Sequence, residues 1–404
     1  MKYVKNKLTI EKTNFQKVAN KFGTPLYCYS YSKLRENIYS FKNNFKSFSP
    51  LICFAVKSNT NINIIREIKK LGLGADVVSI GELIVALKSG INPNKIVFSG
   101  VGKTSKEISF AIEKKILLIN AESLSEIKEI NRIAKLKRKN IKVGIRLNPN
   151  TDAKTLSQIS TGKKENKFGV NKNTYYKIVK FCQNSKNIDL KCLSVHIGSQ
   201  ILSHKPYEKM LQTVSQILTK TNHKFDFIDL GGGMGISYTN KSEKLNYKKY
   251  NDAILKFLKT HKVKIIFEPG RSIVGNMGTL ITKVIYIKES DKKNFVILDA
   301  AMNDLMRPAL YGAFHKTLPV VKSNKVSKKI YEFVGPICES TDKFIALKNF
   351  QKLNEKDLIA ICDVGAYGMS LSSNYNLRLK PTELLIRGSK IKIIRKRQKY
   401  KDII

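Results

Sequence analysis

Metal-ligand spacing and disulfide patterning are missing from this sequence. Its six cysteines (Cys28, Cys53, Cys182, Cys192, Cys338 and Cys362) include no CxxC pair and keep no ligand spacing to the five histidines. Neither a metal site nor a disulfide framework is expected, and the thiols read as reduced. Long hydrophobic runs are missing too. Nothing approaches the roughly 20 apolar residues that span a membrane, and residues 1–8 (MKYVKNKL) lack the apolar core of a signal peptide. The expectation is a soluble, cytoplasmic protein with no membrane partner. Acidic residues are few, 31 against 74 Lys and Arg, for a net charge of +43. Such a balance raises nucleic acid or an anionic surface as a partner. Absent, however, is an arginine-rich block with interleaved aromatics: the excess is overwhelmingly lysine, scattered with asparagine and isoleucine as on solvated surfaces. No nucleic-acid partner is expected from it.

What is present is enough apolar sequence for a sizeable core. With 404 residues, 42% of them hydrophobic, the chain suits one large domain and a smaller one. Short β-branched runs alternate with amphipathic stretches of helical length, the pattern of repeated βα units on a parallel sheet. Eight runs are expected as strands: 51–57, 75–79, 95–100, 116–121, 142–147, 193–198, 225–230 and 264–267. Helices are expected between them, for example over 62–71, with Ile62, Ile65, Ile68 and Leu71 on one face, and over 81–89, with Leu83, Ala86 and Leu87. Eight strands alternating with helices over about 250 residues indicate a (β/α)8 TIM barrel, whose chemistry sits at the carboxyl ends of the strands. Past residue 280 the pattern changes to short strands over 282–288, 295–298, 331–334, 358–362, 383–387 and 391–394. The expected division is a barrel over 30–280 and a β-rich domain built from 1–29 and 281–404.

The residues at the expected strand ends are chemically unusual. Lys57 closes the apolar run Leu51-Ile52-Cys53-Phe54-Ala55-Val56, where partial burial would favour a neutral, nucleophilic amine. Gly231, Gly232 and Gly233 follow another strand; such a run marks a sharp turn, or lets backbone N–H groups close on a phosphate. The Pro269-Gly270-Arg271 turn and Gly278 follow the eighth strand, where barrels often bind phosphate. His196 at a strand end suits either a structural or a catalytic role. Glu268 ends Ile265-Ile266-Phe267, where an unpartnered carboxylate is costly; its partner is an arginine or a protonated ring nitrogen. An amine, a phosphate cradle and a carboxylate for a ring nitrogen together describe pyridoxal 5'-phosphate.

A longer set of motifs carries a resemblance. "FAVKSN", "GLGADVVSIGEL", "SGVGKT", "INAES", "RLNP", "TGKKENKFGV", "HIGSQI", "DLGGGMGISY", "FEPGRSIVG", "DAAMNDLMRPALYGAFH", "GPICESTDKF" and "DVGAYGMSLSSNYN" occur in that order over almost the whole chain. The chain thereby resembles the group IV, alanine-racemase-like (fold type III) barrel decarboxylases, and within them is similar to the diaminopimelate decarboxylases. The resemblance implies a β-sandwich or Greek-key domain after the barrel. It implies pyridoxal-phosphate-dependent release of CO2 from meso-2,6-diaminopimelate to give L-lysine, the last step of lysine biosynthesis by that route. The alternative is a barrel decarboxylase for ornithine, arginine or a carboxylated polyamine such as carboxynorspermidine. Lys57 would be the Schiff-base lysine, with His196 against the cofactor ring and Glu268 at the pyridine nitrogen, where alanine racemases carry an arginine. Asp76, Ser199, Gly231, Gly232, Gly233, Pro269, Gly270, Arg271 and Tyr367 would complete the cofactor site. Arg271, Arg307, Tyr311, Glu339 and Tyr367 would bind substrate, an arginine fork suiting the distal carboxylate and a glutamate the distal ammonium.

Cys338 matches the proton donor to the carbanion left by CO2; by itself it reads as a small buried apolar residue. In this family the "CES" loop comes from a partner subunit, implying a homodimer with shared active sites. The chain departs from the family pattern at Ile80, where "VVSGGEL" has glycine, at Thr341, where "ESGD" has glycine, and in "NYNLRLKPTELL".

Overall fold

In the computed structural model, which describes residues 1–153, 161–162, 165–239 and 244–404, the βα alternation closes into a barrel of eight parallel strands. The strands are β1 (Leu51–Ala55), β2 (Gly74–Val77), β3 (Ile96–Phe98), β4 (Leu118–Ala121), β5 (Ile141–Leu147), β6 (Ile188–Val195), β7 (Phe227–Asp229) and β8 (Lys264–Phe267). Closure comes from β8 pairing with β1, Phe267 beside Ile52. These strands are covered by helices outside and packed side chains inside, so they read as continuous apolar runs instead of alternating ones. That is why they were visible as runs.

Polar residues fix where each following helix starts. Asn61, Ser79, Thr104, Ser123, Asn171 and Asn246 each accept a backbone N–H of the helix they precede. Each such cap contributes about 1 kcal/mol and ends a loop at the carboxyl face of the barrel. Thr104 and Glu107 form a full capping box. Ile80, at the first helical position after Ser79, gives its N–H to Glu107 at 3.0 Å, so the side chain that replaces glycine there leaves the backbone donor satisfied.

The strand limits differ from expectation in one place that bears on chemistry. β1 stops at Ala55, and Val56–Ser58 form a turn of 3-10 helix. The Ser58 hydroxyl donates to the Ala55 carbonyl at 2.7 Å and the Asn59 N–H to that of Val56 at 3.0 Å. These local bonds take the chain out of the ladder, so Lys57 leaves the strand on a turn. Similarly β6 ends at Val195, leaving His196 as the first residue beyond it.

The chain divides into two compact units. One, Ile38–Ile236 with Glu243–Ile273, holds the barrel; the other takes Met1–Asn37, Ser237–Ser242 and Val274–Ile404. The second unit is a mixed sheet built on the long strand Gly278–Lys288. That strand pairs antiparallel with Leu26–Ser30, Leu358–Cys362 and Lys293–Leu298. Thr382–Arg387 lies parallel to Leu26–Ser30 and carries Lys390–Arg395 on its other side. The all-buried strand Leu26–Ser30 therefore sits between two partners, which ties the N-terminal segment into this sheet. Thr317–Pro319 and Lys343–Leu347 are strands that the sequence pattern did not suggest; the first is three residues long and ends in proline. Among the described residues no helix is long and apolar enough to cross a membrane.

Candidate active site

The carboxyl ends of β1, β2, β7 and β8 carry Lys57, Asp76, Asp229 and Glu268, the three acids buried and the lysine partly exposed. Lys57, on its turn after β1, pairs with Asp76 of β2 at 2.7 Å. The Asp76 side chain is fully buried while that of Lys57 is 37% exposed, so the ammonium is held at its base and reachable from outside. Asp229 at the end of β7 and Glu268 just past β8 are buried neighbours. Burial raises both above the ordinary carboxylate range, Asp229 to about 6 and Glu268 further, and each also feels the Asp76 carboxylate. Two adjacent acids in a low-dielectric site do not both ionise. The proton stays with Glu268, which donates it to Asp229.

The rest of Asp229 is saturated. It accepts from Asn120 Nδ2 at 3.0 Å and from the Gly231 N–H at 2.9 Å, with Ser194 Oγ 3.4 Å away. Ser99 Oγ reaches Glu268 at 3.2 Å and accepts from Asn120 at 3.3 Å. The acid pair is thus wedged in a network drawn from β4, β6 and the loop after β3, with little room to turn.

His196 is held neutral. Burial lowers its pKa well below the usual histidine range, and the Arg146 and Lys57 cations lower it further. Its Nδ1 accepts the Gly232 N–H at 3.1 Å, which puts the ring proton on Nε2. Arg146 is in turn fixed by Glu122 at 2.9 Å, a buried pair whose carboxylate also accepts the N–H groups of Gly100 and Gly169.

The glycines after β7 are required by space. Gly231 and Gly233 have φ of +65° and +87°, and an added Cβ at Gly232 would lie 2.1 Å from the Glu268 carbonyl oxygen. Gly270 packs against Ser58, with 3.0 Å available to a Cβ. Close to these turns, Arg271 donates to the Ser199 hydroxyl at 3.1 Å. Hydroxyl, guanidinium and glycine backbone are the groups that receive a phosphate. Of the barrel residues expected from sequence, Lys57 with Asp76, His196 with Gly232, and Ser199 with Arg271 are in direct contact. The Lys163 and Lys164 positions of the "TGKKENKFGV" stretch lie outside the described residues.

In the other unit, Arg307 opens the short helix Arg307–Tyr311, is buried, and stands 4.8 Å from the centre of the Tyr238 ring. Tyr311, at the end of that helix, is half-buried. Tyr367 has a left-handed φ of +57° in the "GAYG" turn. Cys338 is exposed, contrary to its reading as a buried apolar residue; it lies in a turn ahead of Lys343–Leu347, where no core element covers it. Next to it Glu339 accepts from the Thr341 hydroxyl at 2.6 Å and interacts with Tyr375. The threonine that stands for the family's glycine therefore holds the very carboxylate expected to meet substrate.

Residues 31–275 match the family model of the pyridoxal-dependent decarboxylase, pyridoxal binding domain. The diaminopimelate decarboxylase of Aquifex aeolicus is 39% identical, covering 100% of this chain and 96% of that protein. That of Helicobacter pylori strain J99 is 42% identical, covering 96% and 97%. The crystal structure of the Helicobacter pylori enzyme complexed with L-lysine superposes with a TM-score of 0.92 at 42% identity, covering 96% of this chain and 98% of that one. The chain belongs to the diaminopimelate decarboxylase family.

Sequence reasoning singled out the barrel lysine, the glycines and Glu268, and passed over Asp229, Asn120, Ser99 and the Arg146–Glu122 pair that the structure places beside them. Asp229 carried the signal that exposed Glu268, an acid closing the apolar run Phe227-Ile228, but the glycines after it drew the reading. Asn120 and Ser99 gave no local signal, because their importance comes from partners 109 and 169 positions away.

The raised pKa of Asp229 has a signed consequence for the cofactor-free protein. An exposed aspartate ionises near about 3.9, whereas folded Asp229 keeps its proton to about 6. Between these values the folded state binds more protons, so this group's contribution to stability is present at low pH and is lost as pH rises through about 6. Asp229→Asn should flatten the decline in urea stability between those pH values, by up to about 3 kcal/mol across the interval. Identical slopes for the two proteins would contradict the proposed titration.

Proposed function

We propose that this chain decarboxylates meso-diaminopimelate at its D-configured centre, yielding L-lysine and CO2 with pyridoxal phosphate as cofactor, at the barrel mouth that centres on Lys57. The observation that carries the reading is the buried acid at the end of β8. Glu268 retains a proton among Asp229, Asp76 and Ser99, a cost relieved when the heterocyclic nitrogen of a cofactor ring shares that proton. The Lys57 amine, the neutral His196 and the donors around Ser199, Arg271 and Gly231–Gly233 suit the remaining parts of such a group, so the site fits it. When bound, pyridoxal phosphate supplies a ring that takes up the electron pair left when CO2 departs.

The chain's own residues would then divide the work. Lys57 would hold the cofactor through its amine, with Asp76 beside it. Glu268 would supply a proton to the cofactor's ring nitrogen, and the neutral His196 would help hold the ring without adding charge. Ser199, Pro269-Gly270-Arg271 and the backbone of Gly231, Gly232 and Gly233 would hold the phosphate, with Tyr367 also contributing to the cofactor and substrate site. At the substrate's far end Arg307, Tyr311 and Arg271 meet the carboxylate and Glu339 the ammonium. Cys338 would supply a proton from its thiol to the product carbon. The relatives' name and the L-lysine of the Helicobacter pylori complex support this substrate.

CO2 release from the purified, cofactor-loaded protein offered meso-diaminopimelate, L,L-diaminopimelate, ornithine and arginine separately checks the reading. Release from the meso isomer alone is expected, with Lys57→Ala lowering the rate by at least about a thousandfold. Release only from ornithine or arginine would overturn the roles of Arg307 and Glu339.

A homodimer in which Cys338 and Glu339 serve the partner's barrel belongs to the same reading. Its support is the exposure of Cys338 together with Leu310, Phe314, Tyr375 and Leu377 in the same unit, apolar surface of the kind that a subunit covers. Mixing inactive Lys57→Ala and Cys338→Ala chains under conditions of subunit exchange should restore about a quarter of wild-type activity, since half the dimers then carry one intact site. No recovery despite exchange would show that the two residues act within one chain.

A further inference from the structure

The motif "MRPALYGAFH" ends on a histidine to which neither the sequence nor the preceding reading gives a role. His315 is buried, and its Nε2 lies 2.8 Å from Nη1 of Arg307. On the opposite side of the ring, Nδ1 lies 2.9 Å from the carbonyl oxygen of Cys362. A carbonyl has no proton to give, so Nδ1 carries the ring proton and donates it. Nε2 then presents a lone pair, which accepts an N–H of the guanidinium. The doubly protonated ring would set two donors against each other at 2.8 Å, so the contact itself requires neutral imidazole.

This bridge runs from rigid to functional structure. Cys362 is the last residue of Leu358–Cys362, which pairs with Gly278–Lys288 on one side and Thr317–Pro319 on the other. Its own N–H bonds the Lys316 carbonyl at 2.8 Å, directly beside His315. Tyr238 completes the clamp, with its ring 4.8 Å from the guanidinium carbon and meeting the His315 ring edge-on at 5.3 Å. A guanidinium carries five N–H donors in a fixed plane. Fixing Nη1 and one face sets how that plane is turned, and therefore which pair of donors a carboxylate can meet.

We infer that His315 is a positioning residue for substrate selection: it relays the register of the sheet to Arg307 and turns its guanidinium to accept a carboxylate at the substrate's far end. The inference rests on the reading that Arg307 binds that carboxylate. Neutral His315 leaves the positive charge on Arg307 alone, undiluted by a second cation. Substrates and products that keep the distal carboxylate should sense His315; those that lack it should not.

Two variants of the cofactor-loaded enzyme separate this from a structural role. His315→Asn has the reach to bond Cys362 but not Arg307, whereas His315→Gln has the reach to replace the acceptor at Nε2. The readouts are inhibition by L-lysine, which keeps the distal carboxylate, inhibition by cadaverine, which lacks it, and KM and kcat for meso-diaminopimelate. The Asn variant should weaken L-lysine binding and raise KM about tenfold, the loss of one charge-assisted hydrogen bond. Cadaverine inhibition and kcat should hold within about twofold, and the Gln variant should recover most of the difference. Equal loss of both inhibitors, or no loss of either, overturns the inference. Arg307→Ala is the control for the underlying reading. If it leaves the ratio of L-lysine to cadaverine affinity unchanged, the assignment of Arg307 fails; if it abolishes that ratio while His315→Asn leaves it intact, only the positioning role fails.

Discussion

The arrangement at the barrel mouth follows from the cost of placing two carboxylic acids side by side out of water. Asp229 and Glu268 come from adjacent parallel strands whose register, Asp229 beside Ile266, leaves their side chains no separate environments. With one proton between them, the pair is a hydrogen-bonded acid and base in place of two repelling anions. Asn120, Ser99 and Ser194 then supply the hydrogen-bond donors that a buried acid pair calls for. Without that shared proton, Asp229 and Glu268 would both be anions beside the buried Asp76 carboxylate, which Lys57 already neutralises.

The same constraint orders the remaining charges. Lys57 compensates Asp76 directly, and burial first, with the fields of Arg146 and Lys57 added, keeps His196 from taking a proton. Arg146 does not act as a loose cation, since Glu122 neutralises it at 2.9 Å in a buried pair. Breaking such a pair by removing one partner typically costs about 3–5 kcal/mol, so the geometry around His196 is firmly set. The glycine-rich end is governed by space instead of charge: a Cβ added at Gly232 would lie 2.1 Å from the Glu268 carbonyl oxygen.

The barrel was legible in the sequence because both faces of its strands are covered, which turns each into an apolar run that periodicity detects. Strand ends were less legible. β1 stops at Ala55 through a serine hydroxyl bond that no propensity encodes, so Lys57 was read as a strand residue. Glu268 stood out as a charge closing an apolar strand, and Asp229 carried the same signal unread. The remaining roles were suggested only through resemblance in the motif order; residues such as Cys338 and Arg307 gave no chemical signal of their own. Asn120, Ser99, Arg146 and His315 act through partners distant in sequence or through a carbonyl, and local patterning contains neither. Strands as short as Thr317–Pro319 exist only because Leu358–Cys362 offers a partner.

The central claim is that the buried pair lends its proton to the cofactor ring through Glu268. It is tested most directly by the 15N chemical shift of the pyridine nitrogen in enzyme loaded with 15N-labelled pyridoxal phosphate, for the wild type and Glu268→Gln. The account predicts a protonated ring nitrogen in the wild type throughout the neutral pH range and an unprotonated one in the variant. An unprotonated nitrogen in the wild type, or the same shift in both proteins, would contradict it.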